Sequence, residues 1–132
     1  GMIAGFAGQD RPRRVIGIDA SATLEKTRDQ VSRIARHTAQ LIGLERELRE
    51  DEISVLEGWA GDLYGIPVDS TLEAIRLGGT LEGMITDTVY EGKSLAGLIE
   101  LVSSRDIPAD SNVLYAHLGG QLSLNAYSGL FR

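Results

Sequence analysis

The sequence contains no cysteine, only two histidines, only two lysines and few aromatic residues, and each scarcity excludes something. Without thiols there are no disulfides and no thiolate nucleophile. His37 and His117 lie far apart in sequence, so only a carboxylate-rich cluster could hold a metal, and no metal centre is expected. No apolar run approaches the roughly 20 residues that a membrane-spanning helix needs. Gly1 to Gly8 also lacks the charged-then-apolar layout of a signal peptide. A soluble, cytoplasmic protein with no membrane partner is the expectation. A net charge of −6 repels a phosphate backbone, and the eleven arginines are interleaved with acids, so nucleic acid is not an expected partner either. A small anionic ligand is still admissible, because a pocket answers to local charge and not to the net figure.

What is present is 132 residues with 42% hydrophobic content, enough for one unit with a sizeable core and short for two. Arg14 to Asp19 is a short apolar run that reads as a strand. Leu24, Val31, Ile34, Ala35, Leu41 and Ile42 then recur at helical spacing, with possible caps between Asp19 and Thr23 and a stop at Gly43. Glu52 to Glu57 alternates as a second strand. Gly58 to Pro67 holds three glycines, a proline and two aromatics, the composition of a loop lined for contact. A helix is expected from Thr71 to about Gly83, weakened by Gly78 and Gly79, a pair that suggests close packing. Leu95, Leu98, Ile99 and Val102 mark another helix, Asn112 to His117 a last strand, and Leu122 to Tyr127 a short terminal helix. Gly1 to Ala7 resembles the interior of a helix, as if something preceded it.

This alternation predicts an α/β fold, a three-layer parallel sheet with flanking helices, in which ligands bind beyond the carboxyl ends of the strands. Glu91-Gly-Lys-Ser94 has the ending of a phosphate-binding P-loop, but the first glycine of that motif would fall on Asp87, whose carboxylate would repel phosphate. Gly119-Gly120 after a strand allows close backbone approach to a bound group, although a plain tight turn explains it more simply. Tyr64, Tyr90, Tyr115 and Tyr127 could each be an acid or base, yet most tyrosines are half-buried packing groups. His117 reads more readily as a hydrogen-bonded core residue than as a proton donor. Glu91 could face a cationic heterocycle or simply begin the helix that follows it.

Several stretches together carry a family resemblance: Val15-Ile-Gly-Ile-Asp-Ala-Ser21, Tyr64-Gly-Ile-Pro67, Thr71-Leu-Glu-Ala-Ile-Arg76, Val89-Tyr-Glu-Gly-Lys-Ser94, Leu114-Tyr-Ala-His-Leu-Gly-Gly120 and Leu124-Asn-Ala-Tyr-Ser128. In order and spacing the chain resembles the 1-aminocyclopropane-1-carboxylate (ACC) deaminase family. The resemblance implies the tryptophan-synthase-β-like fold of pyridoxal-phosphate enzymes, with residues 1–132 a single unit matching the C-terminal portion of the large domain. It also implies an activity, the conversion of ACC to 2-oxobutanoate and ammonia, with pyridoxal phosphate as cofactor. Glu91 would partner the pyridine nitrogen, Tyr90 would face the substrate at ring opening, Tyr64 would reach the same region, and Leu118 before Gly119 would lie beside the pyridine ring.

The pair Glu91 and Leu118 resembles the deaminases more than the related D-cysteine desulfhydrases, which carry small hydroxyl residues at these two places. Gln121-Leu-Ser123 departs from the family pattern after the glycine pair. Neither Lys26 nor Lys93 matches the family's Schiff-base lysine; Lys26 reads as a surface charge and Lys93 as a structural or orienting residue. The expectation is therefore a portion of a deaminase that is inactive alone and associates with copies of itself through apolar surface. The alternatives are a desulfhydrase-like portion, or a ligand-binding or oligomerising remnant without catalysis.

Overall fold

A computed structural model describes residues 1–11, 13–21 and 23–131. The core strands are β1 (Ile16–Ile18) and β2 (Ser54–Leu56), paired in parallel with Ile16 opposite Ser54 and Ile18 opposite Leu56. The Asp19 N–H donates to the Leu56 carbonyl at 2.7 Å and carries the pairing one residue past β1. Between the two strands runs α2 (Leu24–Leu41), whose buried face of Ala35 and Ala39 is covered by α1 (Met2–Ala7) through Ala4. The small side chains at this seam let the two helices approach closely. Gly43, at φ 71°, takes the left-handed conformation after α2.

After β2 come α3 (Asp69–Glu82) and α4 (Glu91–Ser103), which pack together over a cluster of Trp59, Ala74, Leu95 and Ala96. Gly83 ends α3 at φ 63°, and the Met84 N–H returns to the Gly78 carbonyl at 3.1 Å. Of the expected close-packing pair, Gly78 is the tight one: a Cβ there would come within 2.9 Å of Leu95, whereas at Gly79 the nearest atom is 4.0 Å away. Gly97 lets α4 sit against β1, since a Cβ would stand 2.8 Å from Ile18.

One expectation is met in part and one is corrected. Among the described residues the sheet has two strands, so the chain is a mixed helix and parallel-sheet structure and the three-layer sheet is not seen. The predicted strand from Asn112 to His117 does not form: the segment is neither helix nor strand, with residues 112–114 exposed and 115–117 half-buried. Tyr115 and His117 turn inward while Leu114 and Leu118 stand 84% and 83% exposed. The side-chain pattern is local, but a strand also needs a neighbour, and this segment is fastened to α4 by side chains instead. The terminal helix is a longer run, Gln121–Phe131, wound in 3₁₀ turns and tied to α3 where Arg76 donates to the Leu130 carbonyl at 3.0 Å.

Candidate active site

The entry to α4 is organised by Asp87. Its Oδ1 accepts the N–H groups of Val89, Tyr90 and Glu91 at 2.7, 2.7 and 3.2 Å, and its carbonyl accepts Gly92 N–H at 2.8 Å. The amides of Tyr90, Glu91 and Gly92, which begin the helix, are thus taken by one residue. This reading replaces the P-loop comparison: the acid that would repel a phosphate occupies the place of one. Gly120 reaches the same carboxylate from the other side, at φ 87°, where a Cβ would overlap Asp87 Oδ2 at 1.9 Å. The group approached closely by the glycine pair is therefore an aspartate side chain, and only Gly120 needs to be glycine for it.

Asp87 fixes Tyr90 and Glu91 at the first turn of α4. Glu91 is 9% exposed. Its Oε1 accepts the Leu118 N–H at 3.2 Å, and the Tyr115 hydroxyl lies 3.2 Å from Oε2 and 2.8 Å from the Glu91 carbonyl. Burial, with the Glu91 charge nearby, pushes the Tyr115 phenol up to about 12, so at neutral pH it keeps its proton and acts as a donor. His117 Nε2 lies 2.8 Å from the Ile85 carbonyl, and its Nδ1 stands 3.5 Å from Glu91 Oε2 without a hydrogen bond. The reading of His117 as a hydrogen-bonded packing residue holds. Glu91 does begin a helix, yet its carboxylate is turned to Tyr115 and Leu118 and not spent on the helix amides.

Tyr90 is half-exposed and meets Tyr64 from the glycine-rich loop 58–67. The two hydroxyls are 2.6 Å apart, with the rings edge to face at 6.1 Å. The hydrogen bond from Tyr90 raises the Tyr64 phenol above its ordinary value. Beyond the ends of β1 and β2, Tyr64 lines a depression of about 430 Å³ with Ser21, Lys26 and Leu63. The structure thus brings Tyr64, Tyr90, Glu91 and Leu118 into one connected group, with Gly119 at its edge where a Cβ would meet nothing within 4 Å. Two members were named from sequence but not assigned to this site. Tyr115 could have been found from its place two residues before His117 on the same face of an extended run, and Asp87 from its spacing before a helix start.

The donor set suits a flat cationic heterocycle better than a phosphate. Glu91 offers carboxylate oxygens already oriented by a backbone amide and a phenol, beside an exposed leucine and an unobstructed glycine, while the α4 amides are closed to anions by Asp87. Among the described residues no cluster of three or more metal-ligating side chains occurs, and no helix is long and apolar enough to cross a membrane.

No family model matches the chain. Over all 132 residues it is 55% identical to a 1-aminocyclopropane-1-carboxylate deaminase of Burkholderia cenocepacia strain J2315. It is 58% identical to the deaminases so named of Mesorhizobium japonicum and of Methylobacterium sp. strain 4-46. The chain spans 39% of the length of each of these relatives.

Proposed function

We propose that these 132 residues are part of the large domain of a pyridoxal-phosphate-dependent ACC deaminase, which opens the cyclopropane ring of ACC and releases 2-oxobutanoate and ammonia. The observation that carries the reading is identity of 55–58% along the entire chain, in which the group of Tyr64, Tyr90, Glu91 and Leu118 is embedded. The desulfhydrase alternative is not favoured, since relatives 55–58% identical over the whole chain bear the deaminase name.

Pyridoxal phosphate, when bound, supplies a ring that withdraws electrons from the substrate carbon. Glu91 would accept a hydrogen bond from the ring nitrogen, its carboxylate held in place by Tyr115 and the Leu118 amide. Leu118 and Gly119 would give the ring an apolar face to rest against. Tyr90 and Tyr64 share a proton between oxygens 2.6 Å apart, so one can deliver it to the substrate while the other replaces it. The cationic amine nearest this group, Lys93, is fully buried and committed to two carbonyls, and Lys26 is an exposed charge on the first turn of α2. Lys93 has no free amine for the cofactor, and Lys26, although it lines the depression beside Tyr64, does not match the family's Schiff-base lysine, so we place the residue that bears the cofactor in another part of the full-length protein. Exposed Leu114, Leu118 and Leu122 support self-association.

The test compares the full-length protein with residues 1–132 alone, each supplied with pyridoxal phosphate and ACC and assayed for 2-oxobutanoate and a borohydride-reducible absorbance band. Product and band from the full-length protein only are expected. Product from the 132-residue chain alone would overturn the assignment of its lysines. Sulfide from D-cysteine, with no product from ACC, would overturn the deaminase reading.

A further inference from the structure

Lys93 is the largest fully buried side chain in the structure, and the roles proposed above leave it unused. It sits in the first turns of α4, two residues beyond Glu91 and three beyond Tyr90. Its ammonium donates to the carbonyl of Ala20 at 3.0 Å and to the carbonyl of Ala60. Ala20 lies just past β1, and Ala60 lies in the loop that follows β2. One side chain therefore joins three segments: the exits of both parallel strands and the helix that carries Tyr90 and Glu91. A buried ammonium is costly to desolvate, and burial lowers its pKa while Asp19 and Asp87 oppose the shift. An interior cation kept at such a cost, donating to two main-chain oxygens, does what a bound monovalent cation does: it fixes backbone.

The backbone it fixes leads to Tyr64. From Ala60 the chain passes through Gly61 at φ 73°, where a Cβ would come within 2.9 Å of Val68, and through Gly65 at φ 76°. The turn closes at Ile66 N–H to Leu63 carbonyl, 3.3 Å. Tyr64 is 65% exposed, and its ring is steadied by Tyr90. Its placement thus depends on where the loop is pinned.

We propose that Lys93 is a positioning residue, an internal cation that clamps the Ala20 and Ala60 carbonyls to α4 and so sets the Tyr64 hydroxyl against that of Tyr90. The clamp rests on the deaminase reading only for its effect on turnover. A displacement of about 1 Å in a reacting group costs on the order of a hundredfold in rate. Lys93→Met, which keeps the length and removes the charge, therefore lowers kcat of the full-length protein ten- to a hundredfold and leaves cofactor binding within a few-fold. Because Lys93 acts through Tyr64, Lys93→Met in a Tyr64→Phe background costs less than about threefold more, as expected of residues acting as one unit. If the two losses multiply in full, Lys93 works independently of Tyr64 and the proposal falls.

Hydrogen exchange on the cofactor-free protein gives a readout separate from activity. Residues 58–67 exchange faster in Lys93→Met, while α2 exchanges as before. Unchanged exchange in 58–67, or a uniform rise everywhere, overturns the clamp. If the unsubstituted protein shows no activity on ACC, the deaminase reading fails by itself and the exchange comparison still decides the clamp. Should Lys93→Met not fold, Lys93→Arg carries both measurements. Its wider guanidinium keeps the charge and forces the carbonyls apart, so faster exchange in 58–67 is expected and wild-type exchange and kcat refute.

Discussion

Replacing Gly92 by alanine sets two effects of opposite sign against each other. Alanine in a helix is favoured over glycine by about 0.8–1 kcal/mol, so propensity alone makes the variant more stable. The space at Gly92 argues the reverse. A Cβ would stand 2.4 Å from the Asp87 carbonyl oxygen and 2.8 and 2.9 Å from two side-chain atoms of Ile75. Ile75 is buried in α3 and the oxygen is main chain, so neither can swing aside. Overpacking of this kind costs about 1–3 kcal/mol or more. The same oxygen accepts the Gly92 N–H, a bond worth about 1 kcal/mol that the shift would stretch. Net destabilisation of about 1–3 kcal/mol follows, read as a lower midpoint in urea unfolding. Gly79→Ala is the control: its nearest neighbour is 4.0 Å away, and there propensity should win by about 0.5–1 kcal/mol. A Gly92→Ala protein as stable as the parent or more so would refute the packing argument, and with it the claim that the turn from Asp87 to Glu91 is held rigidly.

Glu52 is held down to about 2, first by the paired hydrogen bonds of Arg46 at 2.6 and 2.9 Å and then by the Arg49 amide. Since its folded value lies below the ordinary 4.5, its stabilisation is complete above that pH and is lost as pH falls from about 4.5 to about 2. Glu52→Gln should be less stable at neutral pH by about 1 kcal/mol, with the difference gone in strong acid; a difference that does not vary with pH refutes this. Tyr115→Phe removes a donor from Glu91 and should cost about 1 kcal/mol of stability with a weaker hold on pyridoxal phosphate, measured by titration of the apo protein; unchanged affinity would show that Glu91 needs no help from Tyr115. Light scattering should find the protein associated with itself, and Leu114→Asp should weaken that association; a monomer at high concentration would be contrary to expectation.

The sequence made the helices legible where the apolar spacing is strong, as in the run from Leu24 to Leu41, and it located both short strands and the glycine-rich loop between them and α3. These features are local, written in spacing and in the residues that end an element. What could not be read depends on partners distant in the chain. The run from Asn112 to His117 has the pattern of a strand, but whether a strand forms is decided by a neighbour. Asp87 was judged by its charge against a phosphate; its role as acceptor for three amides emerges only when the turn is folded. The lysine next to Glu91 could be called structural from sequence, yet nothing in the sequence names its partners 73 and 33 residues away. The resemblance placed Tyr64, Tyr90, Glu91 and Leu118 at one site; in the folded chain the Tyr64 and Tyr90 hydroxyls meet, and the Leu118 amide donates to Glu91, the residue after Tyr90.

The run from Asn112 to Leu118, which is neither helix nor strand, also has a consequence for durability. Proteases take their substrates in extended form, adding them edgewise to a strand of their own, and among the described residues no backbone hydrogen bond holds residues 112–117 back from that shape. A single cut there would free Tyr115 and Leu118 from α4 and strip both donors from Glu91 while the helices stayed folded. The segment that orients the carboxylate is thus also where limited digestion would disarm it first.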